Sequence, residues 1–162
     1  MWLKNKLKEF KRNGVFNLSS GGVSEVYFDL KEAFGNPELL NCIANNLYTL
    51  VDKKPDFVAA RGLGGVTLAT AISLKHGINL TLVRDKQKDY GTCRLIEGYA
   101  PKQNDSGIIV DDVFTVGTSL KKSIDILKPT GAQIIGCYTI VKRGEGELSV
   151  PLHYLYTLED LI

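Results

Sequence analysis

Two periods of apolar residues alternate along the chain. Leu3, Leu7 and Phe10 recur at helical spacing and predict an amphipathic helix stopped by Gly14. "VFNLSSGGVSEVYFDL" then reads as two short strands about a Gly-Ser turn. Asn36, Pro37 and Glu38 supply the cap, first-turn proline and first-turn acid of a helix whose apolar stripe is Leu39, Ile43, Leu47 and Leu50. From there the pattern changes. "DFVAA", "INLTLV", "GIIVDD" and "AQIIGCYTIV" are apolar runs without clean alternation. Between them, "VTLATAISLKHG" and the Leu120, Ile124, Leu127 series mark helices, the second stopped by "KPTG". "HYLYTL" reads as a late edge strand. Apolar strands separated by helices are buried on both faces, so the predicted class is α/β, a mostly parallel sheet flanked by helices.

In open sheets of this kind, ligands bind beyond the carboxyl ends of the strands. The four strand ends here carry "RGLGG", "RDKQKDYGT", "DDVFTVGTS" and "KRGEG", and the site is expected where they converge. In the third, Asp111 and Asp112 precede a turn of small and hydroxyl residues, Thr115, Val116, Gly117, Thr118 and Ser119, leading into a helix. Such a turn lets backbone N–H groups approach an anion, and the helix N-terminus adds its dipole. Carboxylates beside a phosphate cradle cannot favour phosphate, so they must address hydroxyls or a cation. A ribose 5-phosphate meets both demands. The plain alternative is a capped helix with a solvated acid pair. A Walker A loop is excluded, because no lysine follows the glycine at the required place.

At 162 residues the chain is expected to form one domain. With 44% hydrophobic and 23% charged residues it has the composition of a soluble globular protein. A net charge of +2 gives no bulk electrostatic drive toward nucleic acid or membrane. The basic start "MWLKNKLKEFKRNG" has no apolar core of a signal peptide, and no run reaches the roughly 18 apolar residues of a membrane span. Cys42, Cys93 and Cys137 are isolated and odd in number, which fits a reducing, cytoplasmic location. His76 and His153 stand apart from them, so a zinc site is not expected, and Cys93 has no histidine to activate it.

Taken whole, "IIVDDVFTVGTS" closely resembles the phosphoribosyl pyrophosphate (PRPP) binding motif of type I phosphoribosyltransferases. Within that superfamily, "LVRDKQKDYGTCRLIEG" resembles the mobile catalytic loop of the orotate phosphoribosyltransferase family. "SSGGVSEVYFDLKEAFGNPELL" resembles that family's N-terminal hood, and "YTIVKRGEG" its strand before the orotate-binding arginine. An archaeal-like branch, with "SSGG-x-SE" hoods and a tyrosine on the loop, is the better match. The resemblance implies the type I phosphoribosyltransferase fold over residues 1–162, with a small hood over about residues 1–35 and a core after it.

It also implies roles. Asp111 and Asp112 would bind the ribose hydroxyls of PRPP, and with Val113 and Phe114 they open the binding stretch that ends in the 5-phosphate turn, Thr115 to Ser119. Arg84 and Lys88 would neutralise the departing diphosphate, with Tyr90 beside them, and Lys88, Asp112 and Arg84 are the catalytic candidates. Gly64 and Gly65, in "ARGLGG", fall on the loop that takes diphosphate through main-chain N–H groups. Arg143 would face orotate. Magnesium would arrive on PRPP, near Asp111, with no protein cage of its own. In the family the loop reaches into the neighbouring subunit, so a homodimer is implied.

The chain departs from the family's pattern at several positions. Asp85 follows Arg84 where a lysine is usual, Gly64 stands where the diphosphate loop often has lysine, and Ser24 aligns with a hood lysine. A carboxylate at 85 is expected to oppose diphosphate, with Lys86 supplying the missing charge. Arg61 has no assigned role. The residues leave open three readings: an orotate phosphoribosyltransferase, a PRPP- or nucleotide-sensing regulator without catalysis, and a transferase for another base.

Overall fold

The computed structural model describes residues 1–18, 21–87 and 94–162. The first helix, α1 (Trp2–Lys8), buries Leu3 and Leu7 as its spacing requires. It ends well before Gly14, because the backbone from Lys11 onward is claimed by a hairpin. Strand β1 (Lys11–Asn17) pairs antiparallel with β2 (Val23–Phe28), Lys11 opposite Phe28. A short helix α2 (Leu30–Ala33) follows, capped by the Asp29 carboxylate, which accepts from the Glu32 amide at 3.2 Å. The next helix, α3 (Pro37–Tyr48), begins as expected, with the Asn36 side chain accepting from the Leu39 amide at 3.0 Å. Leu50 lies beyond its end yet still packs on the core.

The remaining chain alternates strand and helix: β3 (Phe57–Ala60), α4 (Gly62–His76), β4 (Asn79–Val83), β5 (Ile96–Gly98), β6 (Ser106–Phe114), α5 (Thr118–Leu127), β7 (Gln133–Lys142), β8 (Leu152–Thr157) and α6 (Leu158–Leu161). The six strands from β3 to β8 form one sheet in the order β5-β4-β3-β6-β7-β8. All neighbours are parallel except the β4/β5 edge pair. This is the mostly parallel sheet that the apolar runs predict, with "HYLYTL" at one edge.

Alternate residues of the central strands feed opposite faces. Val58, Ala60, Ile108, Val110 and Ile140 pack with α1, α3 and α4, while Phe57, Ala59, Ile109 and Cys137 pack with Leu120 and Leu127 of α5. Each fully buried large side chain contributes about 1.5–3 kcal/mol of hydrophobic stabilisation, so both faces hold the sheet. Three elements differ from the sequence expectation. β6 does not stop at the acid pair; its ladder with β7 continues through Asp111 opposite Thr139 to Phe114 opposite Lys142. α4 begins at Gly62 and takes in the "GLGG" stretch. Glycine is a poor helix former, and here close packing on β6 overrides propensity. The three-residue β5 has no periodicity that a sequence could show. No helix among the described residues is long and apolar enough to cross a membrane.

Candidate active site

The parallel strands bring their carboxyl ends to one side of the sheet, and there a cavity of about 570 Å³ opens. Its lining draws Arg61 and Gly62 from the end of β3, Asp85 from beyond β4, residues 111–115 and 117–120 from β6 and α5, and Arg143 from beyond β7. Asn17, Leu18, Tyr27, Phe28 and Lys31 close it from the hairpin and α2. The four strand ends singled out in the sequence therefore meet at one place.

Asp111 and Asp112 form the floor. The Asp112 amide donates to Asp111 Oδ1 and the Val113 amide to Asp112 Oδ1, both at 2.9 Å, so each carboxylate is oriented by the next residue's backbone. Burial, reinforced by the neighbouring Asp112 charge, pushes the Asp111 carboxyl up to about 7, against the pull of the Asp112 amide and the Ser119 hydroxyl. A carboxyl held this way is a strong acceptor for a hydroxyl donor once ionised. Asp112 has a counter-ion that the sequence reading missed. Lys31 Nζ lies 3.1 Å from Asp112 Oδ2, across 81 residues of sequence. Partial burial lowers the Lys31 pKa, but the Asp112 charge and hydrogen bond outweigh it and leave the ammonium raised. Nothing local in "DLKEAF" marks that lysine; the only clue was an acid pair without an assigned cation.

Gly64 sits directly against the pair. A Cβ there would fall 2.4 Å from Asp112 Cγ and Oδ2, and at Gly65 a Cβ would fall 2.9 Å from the Val110 carbonyl oxygen. Neither glycine lines the cavity, but both let α4 approach β6 closely enough to carry Arg61 and Gly62 to its rim. The turn after β6 ends at Gly117, the N-cap of α5, with φ 81°. That conformation favours glycine, and a Cβ would also meet the Phe114 ring at 2.8 Å. Thr115, Gly117, Thr118 and Ser119 line the cavity; Val116, in the same turn, does not and is 40% exposed.

Arg143 reaches back to the hood, donating from Nη2 to the Val26 carbonyl at 2.7 Å, while its own amide donates to the Phe114 carbonyl at 2.8 Å. Arg84 is placed differently. It is absent from the cavity lining, and its guanidinium stands 3.6 Å from Glu97 on β5. Lys88 and Tyr90 lie outside the described residues. Asp85, expected to repel an anion, is instead ion-paired with Arg61, whose Nε donates to Asp85 Oδ1 at 3.1 Å. That hydrogen bond and charge hold the Asp85 carboxyl below its usual range. Two departures from the family pattern thus neutralise each other. Among the described residues, no three His, Cys, Asp or Glu side chains cluster as a metal cage.

An acid pair beside a backbone-and-hydroxyl turn at a helix N-terminus, under a hood, is an arrangement able to take a sugar phosphate. Residues 31–159 match the family model described as the phosphoribosyl transferase domain, and the chain belongs to that family. Among its relatives, the orotate phosphoribosyltransferase of Methanosphaera stadtmanae is 40% identical over 147 residues, covering 89% of this chain and 82% of that protein. That of Pyrococcus furiosus is 40% identical over 136 residues, 82% of this chain and 74% of its own length. The crystal structure of orotate phosphoribosyltransferase from Aeropyrum pernix superposes with a TM-score of 0.85 at 30% identity, covering 99% of this chain and 96% of that one.

Proposed function

We propose that the protein is an orotate phosphoribosyltransferase, joining the 5-phosphoribosyl group of PRPP to orotate to give orotidine 5′-monophosphate and diphosphate. The observation that carries this reading is the convergence of the oriented Asp111/Asp112 pair, the turn at the α5 N-terminus and Arg143 on one cavity. The turn holds the 5-phosphate, and the acid pair accepts hydrogen bonds from the ribose hydroxyls. Orotate N1, giving up its proton to solvent, forms its bond to C1 of the ribose as the bond from C1 to the diphosphate oxygen breaks, and the diphosphate leaves with the electron pair. Positive charge grows on the ribose ring during this exchange, and fixed carboxylates in a closed site stabilise it more than water does. Lys31 holds Asp112 oriented and its charge compensated between turnovers.

Magnesium enters on the diphosphate as part of the substrate. The two carboxylates suit it, since this hard cation keeps several waters and takes only one or two protein oxygens. Arg143 recognises the base through its planar donor fork. Arg84 and Lys88 act on the leaving diphosphate from a second copy of the chain in a homodimer, a reading supported by the position of Arg84 away from its own cavity. Free Cys42 and Cys137 suit a reducing, cytoplasmic compartment.

Orotate absorbs strongly in the ultraviolet and changes on ribosylation, which supplies the assay. Consumption of orotate is expected to require both PRPP and magnesium. It is expected to fall by orders of magnitude in Lys88→Ala, because that ammonium meets charge that grows only as the C1–O bond breaks. Binding of PRPP without turnover of orotate or any other base would replace the enzyme by a sensor. Turnover of hypoxanthine or uracil but not orotate would overturn the assignment of the base.

A further inference from the structure

Arg61 is unusual for an arginine at the rim of a cavity. Its side chain is only 10% exposed, and its Nη1 is buried without a hydrogen-bond partner among the described residues. Its partner Asp85 is 71% exposed and held through one oxygen, Oδ1. The two members of the pair therefore differ in what separation would cost them. A buried guanidinium stripped of Asp85, its one anion among the described residues, has little water to replace it, whereas an exposed carboxylate returns to solvent at little cost. Arg61 also occupies the N-cap of α4 without capping it by side chain, so the guanidinium and the free N–H groups of the helix start are presented at one place. Lys122, on α5, also lines the cavity, and its positive charge acts on Asp85.

We propose that Arg61 is a diphosphate-binding residue of this site, and that Asp85 is its resident counter-ion, displaced when the diphosphate of the sugar substrate enters. The inference rests on the PRPP reading and deepens it. Diphosphate brings more charge and more acceptor oxygens than one carboxylate. It can take both the Nε/Nη2 edge that Asp85 now holds and the Nη1 that nothing holds. Asp85 keeps the buried guanidinium oriented and its charge compensated while the site is empty, and competes weakly with the substrate. A carboxylate that would otherwise repel diphosphate becomes a placeholder for it.

The test is calorimetric titration of the whole protein with two probes in the presence of magnesium: inorganic diphosphate, which reports the Arg61 side, and ribose 5-phosphate, which reports the acid pair and the α5 turn. Asp85→Asn keeps an acceptor oxygen for the Nε/Nη2 edge of Arg61 but removes the competing charge; it is expected to lower the melting temperature and to bind diphosphate several-fold more tightly, with ribose 5-phosphate unchanged within about twofold. Arg61→Met is expected to lose roughly ten- to hundredfold in diphosphate affinity, again sparing ribose 5-phosphate. The double variant is expected to match Arg61→Met alone, because Asp85 acts only through Arg61. Should Arg61→Met fail to fold, Asp85→Asn decides alone: unchanged or weakened diphosphate binding makes the pair merely structural and overturns the proposal. An Asp85→Asn effect that persists undiminished without Arg61 overturns it as well. A wild-type protein that binds ribose 5-phosphate while the variants leave diphosphate unaltered removes the Arg61 assignment only. One that binds neither probe removes the PRPP reading, and this proposal with it.

Discussion

Replacing Gly64 by alanine puts one methyl group where the structure has no room for it. The new Cβ would lie 2.4 Å from Asp112 Cγ and Oδ2, whereas carbon and its neighbours settle at about 3.5–4.0 Å. Asp112 must therefore swing by about 1 Å or more, away from Lys31 Nζ at 3.1 Å and the Val113 amide at 2.9 Å. Stability and binding should respond with different sizes. In a helix, alanine gains about 1 kcal/mol over glycine, and strain from the added methyl costs about 1–3 kcal/mol. The net change in folding stability is thus small. Binding has no such offset. A displaced carboxylate loses its charge-assisted hydrogen bond to a ribose hydroxyl, about 1.5–3 kcal/mol, or roughly ten- to hundredfold in PRPP affinity. Thermal unfolding followed by circular dichroism gives the first quantity, and calorimetric titration with magnesium and PRPP gives the second. PRPP affinity within about twofold of wild type would refute the reasoning, because Asp112 would then have given way without loss and could not be the ribose ligand.

Other expectations follow from the same geometry. Asp111 keeps a proton in the folded chain that the unfolded chain has already lost, its pKa having risen from 3.8 to about 7, so stability should fall as pH rises between those values and stay level above them. Urea unfolding at several pH values should show that slope in wild type and lose it in Asp111→Asn, while PRPP affinity should rise as the wild-type carboxyl ionises near pH 7. Lys31→Ala should lower the melting temperature, since it leaves the mostly buried Asp112 carboxylate without its counter-ion, and should weaken PRPP measurably for the same reason. Arg143→Ala should raise the KM for orotate about tenfold or more with little change in PRPP affinity, and Arg143→Lys should not rescue it, because one nitrogen of the fork is committed to the Val26 carbonyl. Mixing Lys88→Ala with Asp112→Asn protein should restore activity through hybrid dimers holding one intact site; no complementation would place the loop in its own subunit's site.

Much of this protein was legible in one dimension. Strand and helix periods are properties of the backbone, 2.0 and 3.6 residues, and they print themselves on any sequence that must bury one face or two. The Asn36 cap, the apolar runs of β3, β4, β6 and β7, and the Gly117 turn were readable because their causes lie within a few residues. Chemistry that depends on adjacent groups, such as Asp111 beside Asp112, was equally open. What the chain could not reveal by itself is every pairing across it. Lys31 meets Asp112 over 81 residues and Arg61 meets Asp85 over 24, contacts made only when the strand order is set and α4 has closed on β6. Gly64 looked like a missing lysine, and Asp85 like an unfavourable charge, because a sequence shows a residue's type and not its neighbours. Electrostatic and steric energies depend on distance, and at these positions distance is decided by the fold alone.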